Sequence, residues 1–365
     1  MSGSTPRVRS LDGLRGFAAV GVLLYHLSLV ARPELSRATW EWLTQTPLKV
    51  LFAGTESVLV FFVLSGLVVT LPALRKGFSW RRYYPTRILR LYLPTFGAVL
   101  LAAALILLVP RDRSLMPDGS WMQSAQATSV NLWSLLREAS LTPRSYQIDN
   151  VLWSLRWEVI FSLLLPLFVW LALRMRKYAY LGVVLCVTAS VLGRVFDVEA
   201  LIYLPVFLAG AIMATRLGDL EQRPATRHQW PLALLGCLAA ALLIASWLSR
   251  PLHAPDVAQN VLWGLASAGA VLVVILAVRW RAFRALLETR LAQWLGRISF
   301  SLYLAHVPIL ATVAYLIGSQ RWWWVVLISV PASLGAAVLF QRWIEAPSHR
   351  LARATGARIP LAAAK

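Results

Sequence analysis

Charge is scarce in this chain, and acidic charge is the scarcest. Only 14% of the 365 residues are charged, with 16 Asp and Glu against 36 Lys and Arg, while 58% are hydrophobic. Soluble globular domains carry roughly a quarter of their residues as charged side chains, so this composition lies well outside the soluble class. The short alternating segments of a membrane β-barrel are also missing. Cysteine is nearly absent: Cys186 and Cys237 both fall in apolar runs and supply neither a disulfide framework nor a metal site. No internal repeat, low-complexity tract or soluble domain stands out, and no grouping of ligand-type side chains points to a metal.

What the chain has is long apolar runs, several approaching the roughly 20 residues that cross a bilayer. Backbone groups in lipid must hydrogen-bond within their own segment, so these runs are helices. Ten spans are predicted, at about 14–32, 50–72, 89–109, 151–173, 178–194, 199–216, 231–248, 260–278, 298–317 and 323–341. With the N-terminus in the cytoplasm, 25 of the basic residues fall in cytoplasmic segments and 10 in external ones, as the positive-inside bias requires. The expectation is an all-α polytopic membrane protein with both termini cytoplasmic. It forms one domain over 1–365, with a core at about 10–350 and a cytoplasmic tail at 351–365. Positive-inside topology and anionic lipid headgroups account for the +20 net charge without nucleic acid. The basic start and apolar run ending "LSLVA" imitate a signal peptide, but internal polar groups and nine further spans favour an uncleaved first helix.

The polar residues inside these runs are the candidates for chemistry. In "LDGLRGFAAVGVLLYHL" at 11–27, Arg15 and His26 are eleven residues apart, which puts them on one helix face about 16 Å apart along the axis. Asp12 lies one turn further out on nearly the same face. An imidazole deep in a span is costly to bury and is a functional hypothesis by default; the bland alternative is packing glue between helices. In "VLWSLRWEVIFSLLLPLF" Glu158 lies roughly 10 Å below the outer surface, at a depth matching His26, with Ser154 one turn away on its face and Arg156 pointing elsewhere. Such a carboxylate can orient the imidazole as a general base, join a proton relay, or merely satisfy it. In "GRISFSLYLAHVPIL" Ser299, Tyr303 and His306 share a face. Ser65-Gly66 reads as close helix packing, and Glu56 is open between interfacial solvation and a site role. Arg87 and Arg90 in "RRYYPTRILRLYLP" project together from a helix start. They suit phosphate oxygens, or are ordinary positive-inside charge. The external loop at 110–150 is long enough to be functional and holds a short predicted helix at 130–139.

In their order along the chain, "LDGLRGFAAVGVLLYHL", "AGTESVLVFFVLSG", "YYPTRILRLYLP", "VLWSLRWEVIFSLLLPL", "GRISFSLYLAHVPIL" and "IEAPSHR" resemble acyltransferase family 3, integral-membrane acyl-CoA O-acyltransferases. The resemblance runs from about Ser10 to Arg350. It implies a ten-helix core in the plasma (inner) membrane that takes an acyl group, usually acetyl, from cytoplasmic acyl-CoA. The acceptor is usually a hydroxyl of an extracytoplasmic glycan or lipid-linked sugar. No tightly bound cofactor is implied; acyl-CoA is a substrate. The family's first-helix arginine and histidine fall on Arg15 and His26, its cytoplasmic arginine pair on Arg87 and Arg90, and its tryptophan-serine-glutamate block on Trp153, Ser154 and Glu158. His26 and Glu158 are then the catalytic candidates. Arg15, Arg87 and Arg90 hold the donor, and Asp12, Glu56, Trp153, Ser154, Tyr303 and His306 support the site. Many members carry an acidic residue where this chain has Leu59-Val60, which leaves the role of Glu56 open. The sequence shows no hydrolase-like domain after the last span, so transfer is expected within the membrane core. Two other readings stay open: the same chemistry on a macrolide or other secreted small molecule, and a secondary transporter.

Overall fold

The computed structural model describes residues 8–143, 145–222 and 229–360; Arg7, Arg144, Arg223, Arg227 and Lys365, counted in the charge bias above, lie outside them. Among the described residues there are helices and no strands. Those that matter here are α1 (Arg9–Ala31), α2 (Gly54–Ala73), α3 (Trp80–Leu108), α4 (Trp121–Ala125), α5 (Leu132–Ala139), α6 (Leu152–Leu163), α7 (Leu165–Met175), α8 (Ala179–Val195), α9 (Glu199–Ala214), α10 (Trp230–Leu248), α11 (Asp256–Gly264), α12 (Ala266–Arg279), α13 (Arg290–Ile317), α14 (Trp322–Phe340) and α15 (Ala346–Arg358).

Among the described residues seven helical stretches are long and apolar enough to cross a membrane, or eight if α6 and α7 are counted as one span. Two differences from the ten expected spans have local causes. The fourth expected span, 151–173, breaks at Leu164 into α6 and α7. Pro166 has no N–H to give the carbonyl of Ser162 four residues back, and it is tolerated in the first turn of a new helix. The orphaned carbonyls are met from α3: Tyr83 Oη donates to Ser162 O at 3.1 Å and Tyr84 Oη to Leu163 O at 3.1 Å. The fifth and sixth, α8 and α9, have 17 and 16 residues, about 25 Å each at 1.5 Å per residue, short of a 30 Å hydrocarbon core. At the other end the helix does not stop at 341. It continues through a π-turn at Gln341–Glu345 into α15, so most of the expected tail is ordered helix.

The chain forms two compact units. The first comprises 1–21, 43–74 and 166–299. Its centre is the crossing of α2 and α9, where Gly66 and Gly210 let backbones touch. A Cβ at Gly66 would stand 2.0 Å from the Phe207 carbonyl oxygen, and one at Gly210 would stand 2.1 Å from that of Val63. The close packing expected of Ser65-Gly66 is therefore present at Gly66. Glu56, at the head of α2, is fully buried, accepting from Thr55 Oγ1 at 3.0 Å and Trp247 Nε1 at 3.1 Å. Burial removes the interfacial-solvation reading of Glu56.

The second unit comprises 22–42, 75–165 and 300–365. Its axis is α3, against which α5, α6 and α15 pack. Gly356 admits Thr86 of α3, since a Cβ there would lie 2.5 Å from Thr86 Oγ1. Arg82 Nε closes the helix end by donating to Ile359 O at 2.7 Å. The 110–150 segment is folded onto α3 through Ala102, Ile106, Ala127 and Ile148. Its helix α5 starts at a capping box in which Asn131 and Ser134 bond each other's backbone, two residues later than the 130–139 expected.

Gly66→Val should lower the thermal unfolding temperature of the detergent-purified protein, at a cost of about 1–3 kcal/mol for overpacking. Gly335→Ala, where nothing lies within 4 Å of the added Cβ, should leave it unchanged or raise it. Equal melting of Gly66→Val and the native chain would contradict the backbone crossing.

Candidate active site

The second unit brings His26 of α1 and His306 of α13 together, both buried. His306 Nε2 lies 3.1 Å from His26 Nδ1, and each ring's Nδ1 also faces a carbonyl of its own helix, Val22 O at 3.0 Å and Leu302 O at 2.9 Å. These contacts assign the protons. A carbonyl only accepts, so His306 Nδ1 carries hydrogen; in a neutral imidazole its Nε2 is then a bare lone pair. The hydrogen between the rings therefore belongs to His26 Nδ1, and His26 Nε2 is left as a lone pair. Fixing one nitrogen fixes the chemistry of the other. The pair is a base whose tautomer is set by the Val22 carbonyl together with a second imidazole, the latter in the position that a carboxylate holds in a hydrolase triad.

Aromatic and hydroxyl groups surround it. The Trp121 ring of α4 lies 5.1 Å from the His26 ring, and Tyr25 lies 5.3 Å from it on the same helix. Tyr303 is one turn before His306, its ring 6.1 Å from the imidazole. The hydroxyls of Tyr303 and Ser154 pair at 2.6 Å and both reach Val151 O, at 3.2 and 3.1 Å. Ser154, expected on the face of Glu158, is thus brought to Tyr303, which shares its face with His306 as the spacing predicts. Ser299 instead bonds its own helix at Gly296 O.

Glu158 was expected to orient His26, and Arg87 to meet phosphate. Their geometry is different: Arg87 Nη2 donates to Glu158 Oε1 at 2.6 Å and Arg87 Nε to Ser162 Oγ at 3.0 Å. Glu158 and Ser162 are one turn apart on α6, so the guanidinium fork spans the last turn before the break. The imidazole's partner is His306; the carboxylate's is Arg87. Beside this pair a shallow cleft is lined by Tyr84, Arg87, Leu91, Tyr92 and Ser162. Arg90 is exposed and Trp153 half-buried. Asp12, Arg15 and Glu56 belong to the first unit. Asp12 and Arg15 are half-buried there, and α1 is unbroken from Arg9 to Ala31, so the eleven-residue spacing of Arg15 and His26 stands.

Several groups had no signal in the sequence. Glu138 of α5 gathers the N–H groups of Gln147, Ile148 and Asp149 at 2.7, 2.9 and 3.1 Å. Burial still pushes its carboxyl up, against those three donors. Asp149 is pushed well above the usual carboxylate range, by burial first and by the Glu138 charge second. Arg111 is lowered to about 10 by burial, with its Nη1 on Ala127 O at 3.1 Å and its guanidinium 5.5 Å from the Tyr315 ring. Trp121 was one aromatic among 17 tryptophans until α4 set it on His26.

A family model described as an acyltransferase domain, Acyl_transf_3, matches residues 8–342. The chain is 22% identical to an O-acetyltransferase, PaAT-1, of Phomopsis amygdali, over 85% of this chain and 73% of that one. It is 23% identical to the peptidoglycan O-acetyltransferase OatA of Listeria monocytogenes, over 94% of this chain and 56% of that one. To the putative peptidoglycan O-acetyltransferase YrhL of Bacillus subtilis it is 25% identical, over 93% and 54%. The chain therefore spans about half the length of the two bacterial relatives. No solved structure matches it.

The Arg87–Glu158 pair is testable by a double-mutant cycle. Arg87→Gln and Glu158→Gln should each lower the unfolding temperature, and the double variant should recover part of the loss, with a coupling of about 1 kcal/mol or more. Additive losses would contradict the pairing.

Proposed function

Because the chain belongs to the Acyl_transf_3 acyltransferase family, we propose that it is a membrane O-acyltransferase that moves an acetyl group from acetyl-CoA to a hydroxyl of an extracytoplasmic glycan. The observation that carries this reading is the paired imidazole, which leaves His26 Nε2 as a buried base. In the proposed reaction His26 Nε2 takes the proton of the acceptor hydroxyl as its oxygen attacks the thioester carbon. The carbon–sulfur bond breaks, and the imidazolium returns the proton to the departing thiolate. The alcohol and acetyl-CoA become the ester and CoA, and His26 is neutral again. His306 Nε2 accepts from His26 Nδ1 throughout, steadying the imidazolium as it forms.

The donor side of the proposal uses the α3 arginines. Arg90, exposed three residues beyond Arg87 on α3, is offered to the CoA phosphates from the cytoplasm, while Arg87 and Glu158 hold the adjoining cleft in shape. The plasma membrane setting fits acetyl-CoA on one side and glycan on the other. A glycan acceptor is preferred because two of the relatives are named for peptidoglycan.

The reading is tested with the purified protein and labelled acetyl-CoA, following CoA release and acetyl transfer to isolated cell-wall glycan. His26→Ala should lose activity by about a hundredfold or more while remaining folded. His306→Ala should fall by a similar factor, and His306→Gln, whose amide oxygen can still accept from Nδ1, should recover part of it. Full activity in His26→Ala would overturn the mechanism, and absence of CoA release from the native protein would favour a transporter.

A further inference from the structure

The segment between α3 and α6 buries polar groups that the proposed chemistry leaves unused. Gln126 is 0% exposed, and neither its amide oxygen nor its nitrogen has a hydrogen-bond partner. Asp149 is also 0% exposed, and the donor near its carboxyl, the Val151 N–H, does not reach the geometry of a full hydrogen bond. The Tyr146 hydroxyl and Arg111 Nε, like Gln126, have no hydrogen-bond partner. Each such group costs about 1–3 kcal/mol, and native proteins keep few of them without a reason.

Hydrogen bonds join the stretches that carry these groups into one patch. Ala127 N donates to Gln147 O at 2.8 Å, and Arg111 Nη1 to Ala127 O at 3.1 Å, which ties the strand of chain holding Gln126 to that holding Tyr146 and Asp149. The patch borders the imidazole pair from two directions. Trp121, five residues before Gln126, faces His26, and Val151, two after Asp149, carries the carbonyl shared by Tyr303 and Ser154. Arg111 Nη2 also approaches Thr312 Oγ1 at 3.5 Å, six residues and about 9 Å beyond His306 along α13.

We propose that Gln126 and Asp149 form the acceptor subsite, and that hydroxyl groups of a polyhydroxylated acceptor supply the partners these side chains lack. The inference rests on the acyltransfer reading and adds the residues and ligand class on the acceptor side. Gln126 both donates and accepts. Burial and the neighbouring Glu138 push the Asp149 carboxyl up, toward the neutral acid that would do the same. Neighbouring hydroxyls of a sugar match such a pair, each giving one hydrogen and receiving another, whereas a monohydric alcohol meets only part of it. Acceptor hydroxyls held there stand beside His26.

The test reads binding separately from reaction, on the full chain in lipid nanodiscs. Saturation-transfer NMR with methyl α-D-glucopyranoside, without acetyl-CoA, should show saturable binding that cyclohexanol does not match. Gln126→Met should weaken that binding about tenfold, and its unfolding temperature should hold or rise, because an unmet polar group is replaced by an apolar one of similar size. Asp149→Asn should keep the binding and Asp149→Leu lose it; this pair decides the matter if Gln126→Met does not fold. Unchanged sugar affinity in Gln126→Met and Asp149→Leu would overturn the subsite and assign these groups to buried water. Absence of sugar binding by the native protein would overturn it too. Sugar binding without CoA release would leave the subsite in place and remove the acyltransfer reading.

Discussion

A neutral imidazole has two nitrogens and one proton, and in a lipid-spanning helix there is no bulk water to let the proton wander. In this protein the proton's place on His26 is fixed at Nδ1 by two acceptors, the Val22 carbonyl at 3.0 Å and the ring of His306 at 3.1 Å. His306 is itself fixed by the Leu302 carbonyl, so backbone acceptors in α1 and α13 agree on which nitrogen of His26 is basic. The rest of the second unit can be understood as holding those two rings in register. Tyr303 and Ser154 join α13 to the start of α6, Ser301 donates to Glu345 in the π-turn, and Tyr315 Oη donates to Met122 O at 3.3 Å, which pins α4 and its Trp121.

The arginine-rich start of α3 serves the same end by a different route. Pro166 breaks the α6–α7 helix, and a break in a buried helix leaves carbonyls that must be met. Tyr83 and Tyr84 meet them, and Arg87 binds the side chains of the turn just before. A motif that reads as a cationic patch is therefore partly a structural splice, with Arg90 exposed on the same helix.

Much of this was legible in the sequence because lipid restricts the backbone to helices, and helical spacing then says which polar residues share a face. His26, Ser154, Tyr303 and His306 were found in that way, as was the close approach at Gly66. The partner of His26 was not, since spacing along one helix carries no information about which other helix it touches; depth alone pointed to Glu158. The break at Leu164 was hidden because Pro166 in an apolar run reads as a tolerated kink. The burial of Gln126, Glu138 and Asp149 was hidden for a further reason: it depends on how the 110–150 segment, read as a long external loop with one short helix, folds back on α3.

The proton assignment on the imidazole pair is the point from which the chemistry follows, and with five histidines in the chain it can be observed directly. Solid-state NMR of the protein labelled with ¹⁵N-histidine should show a protonated Nδ1 on His26 correlated across a hydrogen bond with an unprotonated Nε2 on His306, and the correlation should vanish in His306→Gln. A His26 ring protonated on Nε2, or one with no nitrogen correlation to His306, would contradict the account.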